Sequence, residues 1–245
     1  MPNAPDAPQK TAALLIIGDE ILSGRTQDAN LAYLARFLVD MGIELREARV
    51  IADDVQIIAD TINTLRAQYD YLFTTGGIGP THDDMTIEAV AGAFGVPLEL
   101  NEEARHNMVD VHGLALNEGR LRMITLPAGC ALVDSVASVA PGFQMGNVFV
   151  MAGIPKVMQA MLEGIAPRLE GASPFVSLSL TAHLPESTLS TPLKAIQAEN
   201  PDVRIGSYPF YRDGKPGADL VIRSRDPVRA RAVSELVRGM IEGLS

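Results

Sequence analysis

The chain has 245 residues, of which 47% are hydrophobic and 20% are charged. This length suits one large domain or a main domain with a smaller partner, and the apolar fraction is too high for a disordered chain. Thirty Asp and Glu residues outnumber twenty Lys and Arg residues, so the formal net charge is −10. We therefore expect no nucleic-acid partner, because phosphate backbones are bound by clustered cations.

The single cysteine, Cys130, excludes an internal disulfide and any multi-cysteine metal site, and it fits a reducing cytoplasm. No segment approaches the roughly 18 apolar residues needed to cross a bilayer, so we expect no membrane partner. Residues 1–10 contain three prolines and no apolar core. They predict a disordered tail rather than a signal peptide.

The first elements alternate between strands and helices. Residues 12–17 form a short aliphatic run that is typical of a strand buried on both faces. A helix follows, with Asp28 as its cap and Gly42 at its end. Its apolar residues recur at helical spacing: Leu31, Leu34, Ala35 and Leu38.

The alternation continues with strands over 43–51 and 71–75. A helix capped by Asp53 or Asp54 separates them, and a helix capped by Thr86 follows. This order predicts a mostly parallel sheet with helices on both faces. In such sheets, ligands bind beyond the carboxyl ends of the strands. Two polar, glycine-marked segments lie there, so we expect them to meet over one crevice: 18–30 and 76–86.

The rest of the chain divides into a less regular segment and a small domain. Residues 96–147 are predicted to be loop-like apart from a helix over 102–111; a strand over 148–151 and a helix from Pro155 to about Leu169 follow. Beyond 171–174, strand, helix, strand, strand and helix indicate a small α+β domain: 175–181, 185–197, 203–208, 218–224 and 227–244. The predicted organisation is a tail, an α/β domain and an α+β domain: 1–10, 11–172 and 173–245.

The segment after the third strand carries the clearest chemistry. Its three glycines, Gly76, Gly77 and Gly79, let backbone N–H groups point at an anion. The adjacent acids Asp83 and Asp84 repel phosphate, but they can hold a divalent cation that bridges to phosphate oxygens. We expect Mg²⁺, with Mn²⁺ or Co²⁺ as alternatives. The other interpretation is a tight strand-to-helix turn whose acids only favour the helix dipole.

The segment after the first strand also suits a ligand loop. Asp19 and Glu20 can add metal ligands or bind sugar hydroxyls, and Ser23 is small and polar. Arg25 and His82 are the local cations available to a polyphosphate. The alternative is a solvated loop that serves only to begin the next helix.

The two segments read GDEILSGRTQDAN and TTGGIGPTHDDMT, and they resemble the signatures of the Mog/MoaB-type molybdopterin-binding domain. The resemblance covers roughly residues 11–170. The most similar variants are the N-terminal domains of CinA (competence/damage-inducible protein A) and of eukaryotic FAD synthases. The resemblance implies a three-layer α/β/α fold and an anionic ligand, either a phosphorylated pterin such as molybdopterin or a nucleotide. It also implies a ligand cradle from these positions: Gly76, Gly77, Gly79, Thr81, Asp84, Asp19, Glu20, Ser23, Arg25, Asp28 and Asn30.

Three functions follow from these observations. The first is a metal-dependent pyrophosphatase acting on a nucleotide cofactor such as FAD or ADP-ribose, with Asp83 and Asp84 as catalytic metal ligands. The second is molybdopterin binding or adenylylation in molybdenum cofactor biosynthesis. The third is a non-catalytic pterin- or nucleotide-binding module, suggested by Val139 and Ala152, where relatives carry other residues. The family also implies a homo-oligomer.

Overall fold

A computed structural model of the chain describes residues 9–133, 140–212 and 214–244. The chain divides into two compact units at the boundary between Ala172 and Ser173. Each unit has its own hydrophobic core. Residues 1–8 of the predicted tail lie outside the described residues. Lys10 is ion-paired with Asp70 at 3.0 Å, so the end of that segment is held against the first unit.

The first unit follows the predicted alternation of strands and helices over its first 95 residues. In chain order its elements are β1 (Thr11–Ile17), α1 (Asp19–Leu22), α2 (Asn30–Asp40), β2 (Glu44–Ile51), α3 (Val55–Gln68), β3 (Tyr71–Thr75), α4 (Thr86–Phe94), β4 (Leu98–Leu100), α5 (Glu102–His106), α6 (Glu118–Ile124), β5 (Thr125–Pro127), β6 (Ala131–Val133), β7 (Gly142–Met145), β8 (Val148–Met151) and α7 (Pro155–Ile165). A π-helical turn, Asn107–Val111, continues α5, and a 3₁₀ turn, Ala166–Arg168, follows α7.

The central sheet has six strands in the order β2-β1-β3-β8-β7-β6. β2, β1, β3 and β8 are parallel, and β7 runs antiparallel to both of its neighbours. Residues 12–17 of β1 are all buried, because helices cover both faces of the sheet. α2 lies beside α7, and α3 lies beside α4. The predicted mostly parallel α/β architecture is confirmed.

Phe73 of β3 and Phe149 of β8 stack at the centre of the sheet, with 5.3 Å between their ring centroids. Asn147, just before β8, donates from its side-chain amide to the carbonyl oxygens of Arg66 and Tyr69 at the end of α3. These contacts fix the neighbouring strands, so that the carboxyl ends of β3 and β8 lie side by side.

Two local predictions are corrected. The segment 96–147 is not mainly loop: it contains β4, α6, β5, β6 and β7. These strands have only three or four residues, too few to produce a readable periodicity. Thr86 does not cap α4 but is its first residue, and its hydroxyl donates to the carbonyl oxygen of Gly76 at 2.9 Å. Of the two acids proposed as the cap of α3, Asp54 does so, accepting from the N–H groups of Gln56 and Ile57.

The second unit is the predicted small α+β unit. Its elements are β9 (Val176–Ala182), α8 (Glu186–Glu199), β10 (Arg204–Arg212), β11 (Lys215–Ser224) and α9 (Pro227–Leu244). The strands form an antiparallel sheet in the order β10-β11-β9, and side chains of β11 and α9 share its core. In the described parts of the chain, none of the helices in either unit is long and apolar enough to span a bilayer.

Burial of the Cys130 thiol raises its pKa to about 11. At pH 8 the folded protein therefore carries almost none of the reactive thiolate. We expect an aromatic disulfide reagent to label Cys130 about 100-fold more slowly in the folded protein than in the urea-unfolded chain, whose thiol has an ordinary pKa near 8.5. Equal labelling rates in the two states, followed by absorbance, would contradict this.

Candidate ligand-binding site

A cavity of about 540 Å³ opens at the carboxyl edge of the parallel strands. The ends of β1, β3 and β8 form its floor, and both glycine-marked segments contribute to its wall. The sequence-predicted residues that line it are Glu20, Gly76, Gly77, Gly79, Thr81, Asp83 and Asp84. The two segments therefore meet over one cavity, as the parallel sheet requires.

Two glycines bring the backbone of the loop against its neighbours. Gly76 has φ +101° and Gly77 has φ +67°, a region that side chains disfavour. A Cβ atom on Gly76 would also collide with the carbonyl oxygen of Ile17, and one on Gly77 would collide with the hydroxyl of Thr86. The loop after β3 can reach the end of β1 and the start of α4 only with glycine at both positions.

The Asp84 carboxylate holds this loop in shape. Its Oδ1 accepts from the N–H of Gly79 at 2.7 Å. Its Oδ2 accepts from the N–H of Thr81 at 2.9 Å and from the Thr81 hydroxyl. Both oxygens thus face donors of the loop itself. Asp84, predicted as a catalytic metal ligand, is first of all the anchor of the loop.

Arg122 of α6 is a loop contact that sequence reasoning missed. Its guanidinium donates to the carbonyl oxygens of Thr81 at 2.8 Å and Asp84 at 3.1 Å, and to the carboxylate of Glu88 at 3.2 Å. No signal in the sequence marked it, because α6 lies in the segment that was expected to be loop-like. Arg122 braces the outer side of the loop against α4 and α6.

Asp53 is the second residue that was missed as a site residue. Its Oδ2 accepts from the N–H of Asp19 at 2.9 Å, and it lines the cavity with Glu20 and Asp83. Burial raises the pKa of the Asp53 carboxyl, and the negative charges of Asp19, Glu20 and Asp83 raise it further. The sequence does contain a signal for this role of Asp53. Two acids, Asp53 and Asp54, follow β2, and α3 needs only one of them as its cap, so the other is available to the site.

Asp83 differs from Asp53 in its electrostatic environment. The adjacent Thr81 side chain lowers the pKa of the Asp83 carboxyl, as do its own backbone N–H and the positive charges of His82 and Arg122. Asp83 is exposed toward solvent and stays ionised. The cavity therefore presents one carboxylate that is readily charged and another, Asp53, whose charge is disfavoured.

The remaining predicted residues of the first segment lie around the cavity rather than in its wall. The Asp28 carboxylate accepts from the N–H of Leu31 at 2.9 Å, but Asp28 is not the predicted cap of α2: the helix begins at Asn30, and Ala29 occupies the cap position. The Ser23 hydroxyl donates to the carbonyl oxygen of Glu20 at 3.3 Å. Arg25 is exposed. Asp19 contributes its backbone N–H to Asp53 rather than its carboxylate to the cavity.

Asn30 is placed differently, because it is buried at the start of α2. Its side-chain amide donates to the carbonyl oxygen of Gly153 at 2.8 Å. Gly153 follows β8 and faces the glycine loop: a Cβ atom there would lie 3.3 Å from the Cα of Gly76. Asn30 thus connects the first segment to the turn beside the second.

The comparisons with known proteins identify the family of the chain. A family model described as "Probable molybdopterin binding domain" matches residues 13–171. The chain belongs to the molybdopterin-binding domain family. A second family model, described as "FAD synthase, middle domain", matches residues 174–244.

Two relatives of this molybdopterin-binding family protein carry descriptive names. A CinA-like protein from Desulfosudis oleivorans is 36% identical over 209 residues, covering 80% of this chain and 51% of the relative. A "Probable FAD synthase" from Caenorhabditis elegans is 31% identical over 267 residues, covering 98% of this chain and 51% of the relative. The chain spans about half the length of these two relatives.

A solved structure is also similar to this family member. It is a CinA protein from Thermoplasma acidophilum, described as having unknown function, with 33% identity and a TM-score of 0.62. The match covers 65% of this chain and 98% of that chain. It supports the fold without adding an activity.

The side chains that the structure describes do not by themselves complete a metal-binding site. Within residues 9–133, 140–212 and 214–244, no three His, Cys, Asp or Glu side chains are grouped to hold a metal ion. A cation at the cavity would therefore need ligand oxygens from a bound phosphate. Of the two positions that suggested a non-catalytic module, Ala152 lines the cavity, and Val139 lies outside the described residues.

Replacing Asp53 by Asn tests the electrostatics of the cavity. Asn keeps the oxygen that accepts from Asp19 but removes the charge. Because the folded-state pKa of Asp53 is raised, its ionisation destabilises the fold as pH rises through that pKa, and this cost is absent below the ordinary Asp pKa of about 3.9. We expect Asp53→Asn to raise the free energy of unfolding at pH 7, with the gain vanishing below about pH 4.

Urea unfolding in EDTA from pH 3.5 to pH 8 measures the difference. Asp60→Asn, at an exposed position on α3, is the matched control and should give no such gain. A gain that is the same at every pH would show that charge is not its cause.

Proposed function

We propose that this protein is a divalent-metal-dependent pyrophosphatase that cleaves a nucleotide cofactor such as FAD or ADP-ribose. The observation that supports this most is the juxtaposition of three acids, Glu20, Asp53 and Asp83, with a glycine loop in one cavity. Loop N–H groups suit phosphate oxygens, whereas carboxylates repel them. A diphosphate and three acids can share a cavity when a divalent cation lies between them.

The proposed reaction is hydrolysis of the diphosphate bridge. Water adds to one phosphorus, and the bridging oxygen leaves with the other phosphate, so FAD gives AMP and FMN, and ADP-ribose gives AMP and ribose 5-phosphate. Asp83 would hold Mg²⁺, Mn²⁺ or Co²⁺ together with phosphate oxygens. Glu20 and Asp53 would add negative charge to the same cavity wall, since no three such side chains among the described residues are grouped closely enough to hold the cation by themselves. When bound, the cation would neutralise the charge that develops on the leaving phosphate.

The chain's own residues would position the diphosphate. The N–H groups of Gly77 and Ile78 belong to a part of the loop that is joined to the start of α4, because the Gly77 carbonyl oxygen accepts from the N–H of Thr86 at 2.9 Å. The helix dipole favours an anion there. Asp84 keeps the loop in the conformation that exposes these groups, and Arg122 braces it from outside. Asp84 and Arg122 are positioning residues in this proposal, while Asp83 is the group nearest to the chemistry.

Two isosteric variants separate these roles. Asp83→Asn should lower Mg²⁺-dependent AMP release from ADP-ribose by about 10² to 10⁴-fold, because it removes a metal-linked charge. It should lower the free energy of unfolding only slightly, because Asp83 is exposed and its interactions are screened by solvent. Asp84→Asn should lower activity and also speed hydrogen exchange at Gly79 and Thr81, because an amide NH₂ would then face loop donors. EDTA should abolish turnover of the unaltered protein.

Asp60→Asn again serves as the control, because it changes a surface acid far from the loop in sequence. Turnover of Asp83→Asn at the rate of the unaltered protein would exclude the proposed role of Asp83. Normal hydrogen exchange in Asp84→Asn would exclude the proposed role of Asp84.

The second candidate function is molybdopterin binding or adenylylation, which the family model for residues 13–171 favours. It requires tight binding of molybdopterin and no AMP release from FAD. A non-catalytic module would instead bind a nucleotide or pterin to saturation, yet give no product with Mg²⁺, Mn²⁺ or Co²⁺. Calorimetry and AMP release on the same preparations distinguish the three functions.

We also propose that the protein self-associates in the cytoplasm. Large apolar side chains are exposed in one stretch of the first unit: Leu98, Leu100, Val111, Leu116 and Leu121. Contact with a second copy of the chain would remove these apolar side chains from water. Light scattering after size exclusion should give a mass that is a multiple of 26.2 kDa, and a value equal to it would contradict self-association.

A further inference from the structure

A second, much smaller cavity adjoins the main one. Its volume is about 60 Å³, and it lies between the first segment, the end of β3 and the turn after β8. The two cavities share Glu20, Thr26 and Gly153 in their walls. The shared wall places the small cavity next to any ligand that occupies the main one.

Two polar side chains in the wall of the small cavity are buried without partners. Asn30 is 4% exposed and Thr75 is 1% exposed. Among the described residues, neither the Asn30 Oδ1 nor the Thr75 Oγ1 has a hydrogen-bonding partner. Leaving a buried polar atom unpaired destabilises a fold, so a hydrogen-bonding partner from outside the chain would be bound favourably by these two atoms.

The orientation of Asn30 determines what that partner must offer. Its amide nitrogen is committed to the carbonyl oxygen of Gly153 at 2.8 Å, so its oxygen faces away as an acceptor only. The Thr75 hydroxyl can accept as well as donate. Together they suit a group that carries two N–H donors.

The volume of the small cavity limits which chemical groups can occupy it. Because one water takes about 30 Å³ in the liquid, 60 Å³ admits a small polar group but not a bicyclic ring. A neutral amino group matches the two unpaired atoms, which are themselves neutral, while Glu20 and Asp28 add carboxylates to the same wall. The ring that bears the amino group would stay in the main cavity.

We propose that Asn30 and Thr75 form a subsite that recognises the exocyclic amino group of the ligand's heterocycle. The proposal rests on the proposed function only in taking the ligand to be a phosphorylated heterocycle. Adenine and pterin both carry such an amino group, and they are distinguished by experiment. The subsite selects for the amino group because a carbonyl in its place would meet the acceptor oxygen of Asn30.

The test is a thermodynamic cycle in which the Thr75 hydroxyl and the ligand amino group are removed separately and together, and the four binding affinities are compared. Calorimetry with Mg²⁺ compares α,β-methylene-ADP, which cannot be hydrolysed at its bridge, with its 6-unsubstituted purine counterpart. A second arm compares a 6-hydroxymethylpterin phosphate with its 2-desamino counterpart. In one arm the unaltered protein should bind the amino ligand about 10-fold more tightly, and Thr75→Val should remove most of that preference.

Thr74→Val is the matched control. Thr74 is the preceding residue of β3, is equally buried and has an equally unpaired hydroxyl, but its side chain points to the opposite face of the sheet. It should leave both affinities unchanged. Thr75→Ser, which keeps the hydroxyl, should retain the preference.

Equal binding of the amino and desamino ligands by the unaltered protein would overturn the subsite without any variant, and would mean that water alone occupies the small cavity. Loss of affinity for both ligands in Thr75→Val would also overturn it. A preference for the amino group without AMP release from ADP-ribose would overturn the pyrophosphatase proposal alone. AMP release without the preference would overturn the subsite alone.

Discussion

The hydrogen bonds between the Asp84 carboxylate and the loop after β3 determine the shape of the main cavity. Three loop donors converge on this one side chain, from Gly79 and Thr81. Gly76 and Gly77 let the same loop pass close to β1 and α4. Without the carboxylate, the loop would lose the hydrogen bonds that keep its N–H groups ordered at the edge of the sheet.

The distribution of charge follows from this arrangement. Asp84 is partly neutralised by the loop donors around it, whereas Glu20, Asp53 and Asp83 leave the cavity wall negative. This concentration of negative charge destabilises the folded state, and the raised pKa of the Asp53 carboxyl reflects that destabilisation. In this protein, whose net charge is −10, the loop proposed to bind an anion lies beside negatively charged side chains. The proposed chemistry therefore depends on a cation that lies between them and the anion.

Much of this arrangement could be predicted from the sequence. The buried aliphatic run of β1 and the glycines after β3 are strong local signals, and the rule that parallel strands share a carboxyl edge places both segments together. Arg122 and Asp53 could not be assigned in the same way. Arg122 reaches the loop from a helix without clear periodicity, and the role of Asp53 depends on which of two adjacent acids turns toward α3.

Gly153 touches both cavities. Its carbonyl oxygen holds the Asn30 amide, and its Cα faces Gly76 across a gap too narrow for a side chain to enter freely. Gly153 therefore lies between Asn30 and the glycine loop after β3. Under the two proposals above, the two ends of one ligand would bind on either side of this residue, and their covalent linkage would make a whole dinucleotide bind more tightly than its separate halves.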